Sequence, residues 1–448
     1  MRTLKAAVWM VVWSALALAV GGVAAAPPRV VSATPDNGDV GVDPGLTELV
    51  ITFDQAMSRG GMSIVGGGES FPKITGKARW RSTRTILVPI EFVPDHDYWL
   101  SINNERFTNF RSVGGEAAVP YPIKFSTGPG GGAEGGGADA PDFGPSVDRL
   151  IELMGTAYSH RERLGLDWAD ELEARRGALE ACGSPGAFGR RLATVLARAQ
   201  DKHLWVDAGT ERFGTFVRPQ VPNANPGLLP RLVEGFERRS PAVVSGRLAG
   251  GRVGYLAIDT WDRAQREDIA HAFDAIWAMG DVEALIVDVR LNGGGDESLA
   301  QEVAGCFVDD EVAYARHVVV DPKRPDGFSE AYTRVLEPST RRPKFRGKVA
   351  VLTGPVCMSS NEAFVLMMRA GGAVTVGAAT QGSSGNPRPY ELGHGVTVYL
   401  PSWRAMTLDG VFFEGVGLPP DIRVDAGPRG FEDADPVLER AVEALLDG

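Results

Sequence analysis

Residues 128–142 read GPGGGAEGGGADAPD. A stretch this rich in glycine, with no large apolar side chain, cannot pack a core, so any fold must be built on either side of it. A flexible chain of this size spans on the order of 20–25 Å root-mean-square. The sequence therefore predicts a multidomain protein whose two halves are separate bodies joined by a linker.

The first half contains two kinds of segment. Residues 1–26 open with Arg2 and Lys5, continue as an uncharged apolar run and end in small residues from Val23 to Ala26. That order of basic, apolar and small residues is an export signal peptide, with an uncleaved membrane anchor as the alternative. The rest of the chain is expected outside the cytoplasm: periplasmic, at the cell surface or secreted. Residues 29–127 carry the short strand-like runs TELVITF, RTILVPIEF and YWLSI, separated by turn clusters such as TPDNGD and VDPG. This is an all-β pattern.

Composition narrows the function classes. Of 448 residues, 44% are apolar and 23% charged, which suits a globular chain with sizeable cores. The formal charge of -11 leaves no electrostatic footprint for nucleic acid. Three cysteines, Cys182, Cys306 and Cys357, are too few and too odd in number for a disulfide framework. No His/Cys cluster has metal-ligand spacing and no nucleotide fingerprint occurs, so neither metal nor cofactor is expected.

After the linker, residues 145–205 read as helical. In SPGAFGRRLATVLARAQ, Ser184 can cap, Pro185 suits the first turn, and Phe188, Leu192, Val195 and Leu196 share a face. The pattern stops at DKHLWV. Residues 206–448 then alternate strand and helix: EALIVDV, the turn LNGGGDE, the helix SLAQEVAGCF, the strand KVAVLTG, the helix NEAFVLMMRAGG and the strand AVTVGAA. Such units form a parallel sheet whose post-strand loops gather at one edge. That edge would bring LNGGG and CMSSN together.

Ser359 and Ser360 fall in the break between KVAVLTG and the following helix. A hydroxyl there lies near the positive end of a helix, where a developing oxyanion is favoured. Serine is also an ordinary N-cap, so the pair alone decides nothing. Asn292, Gly293, Gly294 and Gly295 could turn backbone N–H groups toward a carbonyl oxygen. His203, in DKHLW, is one of only six histidines. Cys357, two residues before Ser359, is the alternative nucleophile.

Taken in order, VDVRLNGGG, VLTGPVCMSSNEA, TVGAATQGSSG and FFEGVGLPPDI resemble the tail-specific (C-terminal processing) serine peptidases over roughly residues 145–425. The resemblance implies an α/β, crotonase-like core of ββα repeats. It makes Ser359 the nucleophile, with the N–H groups of Ser360 and Gly294 as oxyanion donors and Gly295 close behind. One branch of the family activates the serine with a lysine, but here Ser383 stands where that lysine would, and no lysine follows Lys348. The chain is more similar to the tricorn-core and interphotoreceptor retinoid-binding branch. That resemblance implies His203 as base and Glu414 as the supporting carboxylate, with Lys202 and Ser383 as accessory candidates and His394 as a rival base. Only residues 207–251 separate the helical part from the core, too few for the PDZ domain of processing members.

The opening of the β-rich half, TPDNGDVGVDP leading into LVITFDQAM, resembles bacterial Ig-like domains, which implies spacing or contact with a cell-envelope partner. The expected activity is exported serine-type hydrolysis of a peptide or protein substrate through an acyl-enzyme. A non-catalytic ligand- or peptide-binding protein on the same scaffold is the alternative.

Overall fold

A computed structural model describes residues 26–128, 141–218 and 220–447. The segment expected to be an export signal and most of the glycine-rich linker lie outside the described residues.

Residues 30–126 are all-β, as the turn spacing predicts. Strands Val30–Thr34, Glu48–Phe53, Thr85–Glu91 and Lys73–Ile74 form one sheet, with Arg79–Trp80 also pairing to the third of these. Ile64–Val65, Asp97–Ile102 and Tyr121–Ser126 form a second, three-stranded sheet. Alternate residues of Glu48–Phe53 are buried, and Leu49, Ile51 and Phe53 join Ile86, Val88, Leu100 and Phe125 in one core.

The two halves are not separate bodies. The turn in TPDNGD docks onto the helical region. The buried Asn37 side chain donates to the Ala197 carbonyl at 2.9 Å and accepts from the Lys124 N–H at 3.0 Å. Arg198 Nη1 donates to the Asn37 carbonyl at 2.9 Å, and Arg175 Nη2 to Asp39 at 3.0 Å. Gly38, at φ +89°, lies so close to Arg198 that a Cβ would fall 2.3 Å from its Cγ. The Lys124 bond fixes the Asn37 amide within the β-rich half, so misdocking would leave its Nδ2 and the Ala197 carbonyl unpaired. Linker composition describes the covalent tether and says nothing of these contacts.

The helix Pro185–Leu196 starts where expected, with Ser184 Oγ accepting from the Ala187 N–H at 3.2 Å. Its predicted apolar face is fully buried, and each such side chain contributes about 1.5–3 kcal/mol. It packs on a four-stranded antiparallel sheet in the order Glu211–Gly214, Trp205–Ala208, Val396–Pro401, Pro387–Gly393. Thus the helical region shares one core with strands from near the end of the chain.

A seven-stranded sheet forms the centre of the second half. Its order is Glu234–Arg238, Val243–Leu248, Val253–Ile258, Ala284–Asp288, Lys348–Thr353, Val374–Gly377 and Ile422–Arg423. The first two pairings are antiparallel and the remaining four parallel. The predicted strands EALIVDV, KVAVLTG and AVTVGAA are consecutive members of the parallel part. Residues 207–251 supply two of its strands. The helix Ser360–Ala370, called the serine helix below, has Phe364, Val365 and Met367 fully buried, which explains its unbroken apolar run.

Candidate active site

The site forms where two post-strand loops meet at the carboxyl edge of the parallel strands. Buried Arg290 anchors the first loop. Its guanidinium donates to Asp288 at 2.6 Å and to both carboxylate oxygens of Asp435, at 2.9 and 2.8 Å. The turn that follows is clipped to the serine helix by one side chain. Asn361 Nδ2 donates to the carbonyls of Val289 and Asn292, both at 3.0 Å, and Asn361 Oδ1 accepts from Trp261 Nε1 at 3.0 Å. Gly294 (φ +99°) approaches so closely that a Cβ there would sit 2.8 Å from Ser359 Cβ and 2.6 Å from the Met358 carbonyl oxygen. Only glycine fits both the conformation and the space.

Ser359 itself has φ +60° and ψ -126°, a region that side-chain-bearing residues rarely occupy. Its N–H donates to the Ser383 carbonyl at 2.8 Å and to Glu362 Oε2 at 3.1 Å. These bonds hold the unfavourable turn in place.

Two distant segments complete the site. Ser359 Oγ lies 3.1 Å from His203 Nε2, and His203 Nδ1 lies 2.9 Å from Ser383 Oγ. The histidine turn is braced from behind. The His203 N–H donates to Asp201 Oδ1 at 2.8 Å, and the Tyr158 hydroxyl donates to Asp201 Oδ2 at 3.0 Å. Burial lowers the His203 pKa below the ordinary histidine value. The Asp201 charge opposes this and the Lys202 charge reinforces it.

Glu414, the carboxylate expected to support His203, is placed elsewhere. It accepts from the Ser384 N–H at 2.8 Å and faces His160 Nε2 at 3.8 Å. Burial, and next the Asp201 charge, push Glu414 well above the carboxylate range, whereas burial brings His160 down to about 4. Ser383 occupies the position against Nδ1 instead. The buried carboxylate nearest Ser359 is Glu362, which sequence reasoning recognised only as part of the helix start. It accepts from Thr380 Oγ1 at 2.5 Å, Gly382 N–H at 2.7 Å and Ser383 N–H at 3.0 Å, besides Ser359. Burial pushes it up to about 7 in spite of these donors. Its clearest trace in the sequence is its position three residues after a serine at a helix start.

The remaining candidates separate clearly. Gly294 spends its N–H on Asn292 Oδ1 at 2.9 Å, so it is not the open donor expected of it. Among the described residues, the N–H groups of Gly295 and Ser360 have no protein acceptor, and Ser360 Oγ donates to the Gly295 carbonyl at 2.6 Å. Lys202 Nζ donates to Gln381 Oε1 at 3.2 Å. His394 sits at the edge of the helical layer, bonded to the Asp142 carbonyl at 2.9 Å and packed on Phe143. Cys357 is fully buried, its thiol bonded to the Val289 carbonyl at 3.0 Å and pushed up to about 12, so it offers no thiolate. His160, Asp201 and Glu414 are the one group among the described residues with ligand atoms clustered within 4.8 Å. Each already has a partner in Ser384, Tyr158 or the His203 N–H.

Residues 252–424 match the family model "Peptidase family S41". The Bacillus subtilis carboxy-terminal processing protease CtpB is 25% identical over 179 residues, 40% of this chain and 35% of that protein's length. The chain therefore matches about a third of that curated relative. A solved structure from Parabacteroides merdae superposes with a TM-score of 0.59 at 20% identity, covering 68% of this chain and 97% of that one. A CPAF variant superposes with a TM-score of 0.50 at 12% identity, covering 66% and 95%. Those two likenesses concern the fold. Together with the ordered loops around Ser359, the matches make residues 252–424 similar to the core of peptidase family S41.

Proposed function

We propose that this chain is an exported serine endopeptidase that cleaves peptide bonds through an acyl-enzyme. The observation that carries the reading is the 3.1 Å contact between Ser359 Oγ and His203 Nε2, with the serine held in a strained turn at a helix N-terminus.

In the productive tautomer, His203 Nδ1–H donates to Ser383 Oγ and the Nε2 lone pair accepts from the Ser359 hydroxyl. Ser359 Oγ attacks the scissile carbonyl carbon as its proton passes to Nε2, and the carbonyl π electrons move to oxygen. The N–H groups of Ser360 and Gly295 are the donors available to that oxyanion. Collapse of the intermediate breaks the C–N bond, and Nε2–H delivers the proton to the leaving amine. Water, deprotonated by the same nitrogen, then hydrolyses the ester and restores Ser359. Glu362 holds the backbone of Ser359 and Ser383, so it acts through the turn and not on the imidazole.

Export, the absence of a PDZ module and an Ig-like identity for residues 29–127 belong to the same proposal. The β-rich half would hold the catalytic half at the cell envelope. Labelling the mature protein with a fluorophosphonate, followed by mass spectrometry, tests the chemistry. The expected adduct is on Ser359 and is lost in His203→Ala. Folded protein that takes no label would make the chain a binding protein on this scaffold.

A further inference from the structure

A cavity of about 320 Å³ opens directly beside Ser359. One wall is the serine helix, which contributes Ser360, Ala363 and Leu366. At 1.5 Å rise per residue these span roughly 9 Å along the helix from Ser360 to Leu366. Ala405 and Phe413 continue the apolar lining. A side chain entering from a carbonyl held at Ser359 meets these apolar groups, with Ser384, Asn386 and Asp296 also in the lining.

The lining also contains an uncommon pair, Arg334 and Glu297. Their side chains are 11% and 19% exposed, and they are in direct contact. The Arg334 guanidinium carbon lies 4.8 Å from the Trp403 ring centroid and 5.2 Å from that of Tyr314. Glu297 Oε1 accepts from the Tyr314 hydroxyl at 2.5 Å. Packing over two aromatic rings and a bond to a phenol hold the pair in position. It is still not saturated. Among the described residues, Arg334 Nη1 and Nε have no acceptor and Glu297 Oε2 has no donor. The cavity thus presents free N–H donors beside a free carboxylate acceptor, next to apolar lining.

We infer that this cavity selects a P1 side chain with an apolar stem and a carboxamide tip, glutamine above all. The inference rests on the peptidase reading of Ser359. A carboxamide oxygen accepts from Arg334 while its NH₂ donates to Glu297, so both free groups are matched at once. A carboxylate tip would face Glu297, an ammonium tip would face Arg334, and an apolar tip would leave both groups desolvated and unpaired. A site built to hydrogen-bond a substrate group discriminates strongly against analogues lacking it, because its own polar groups are then stranded.

The test is a series of peptidyl diphenyl phosphonates that differ only at P1, carrying Gln, Leu, Ala, Glu or Lys side chains. The rate of Ser359 labelling is read by mass spectrometry on the full chain. The Gln probe is expected to label at least about tenfold faster than any other, a difference of about 1.4 kcal/mol. Arg334→Met keeps a stem over Trp403 and Tyr314, and should erase that advantage in favour of Leu. Glu297→Gln should reduce it without creating a preference for Lys, and it decides the matter if Arg334→Met does not fold. A flat series, or one led by Leu, Glu or Lys, overturns the inference while fluorophosphonate labelling of Ser359 leaves the peptidase reading intact. Failure of the fluorophosphonate itself overturns both.

Discussion

Replacing Ser383 by alanine separates the two ways of supporting His203. In the wild type, Ser383 Oγ lies 2.9 Å from His203 Nδ1, whereas Glu414 is engaged with Ser384 and His160. Alanine removes the only side-chain acceptor that Nδ1–H has among the described residues. Leaving a buried donor unpaired costs roughly 1–3 kcal/mol, which corresponds to roughly a 5- to 150-fold loss in kcat/KM. The loss falls on the imidazolium more than on the neutral ring, because the charged form depends more on the acceptor. The histidine pKa, already lowered by burial, should fall further, and the acid limb of the kcat/KM profile should move to lower pH. Glu414→Gln is the control. Burial pushes the Glu414 carboxyl well above its ordinary range, and in the variant the amide oxygen can still accept from Ser384. Its expected effect is within about threefold. The assay is the pH dependence of Ser359 labelling or of peptide hydrolysis, with melting temperatures confirming that both variants fold. A crippling Glu414→Gln beside a silent Ser383→Ala would refute the reasoning.

The buried His160 makes the fold acid-sensitive. Its folded pKa of about 4 lies below the unfolded 6.5, so its contribution is complete above pH 6.5 and lost as pH falls toward 4. The loss is roughly 3 kcal/mol by linkage, and pH-dependent denaturant melts of wild type and His160→Gln should show a shallower acid slope in the variant. Asn37→Ala should loosen the docking of the β-rich half at a cost of roughly 1–3 kcal/mol, because the Ala197 carbonyl loses its partner across the interface. Limited proteolysis should then cut the 128–142 segment and release two fragments that no longer co-migrate, and an unchanged cleavage pattern would contradict the interface.

The parallel strands and the placement of Ser359 were readable because they rest on local signals: apolar runs of strand length, a glycine turn and a serine break before a helical run. His203 was accessible through the order of motifs, since no local feature distinguishes a loop histidine. The identity of its partner was not readable. Ser383 and His203 are 180 residues apart, and what joins them is the pairing of Trp205–Ala208 with Val396–Pro401. Glu414 and Ser383 both lie in segments that converge on the site, and sequence order does not say which side chain reaches Nδ1. The docking of Asn37 was hidden for a related reason. In TPDNGD it reads as a turn residue, and its second use, as a buried two-way hydrogen-bonding group, depends on a partner 160 residues away.

The proposed nucleophile and its base belong to different hydrophobic cores. Ser359 is built on the core that contains Cys357, Ala363 and Phe364, and His203 on the one that contains Ala199, Leu204 and Val206. Their 3.1 Å contact is therefore a gauge of how the two cores are seated against each other. A slip of one ångström between them would disengage proton transfer while each core kept its own packing. On gentle heating or in low denaturant, hydrolysis should consequently fade before either core melts, so that turnover reports the seam and spectroscopy reports the cores.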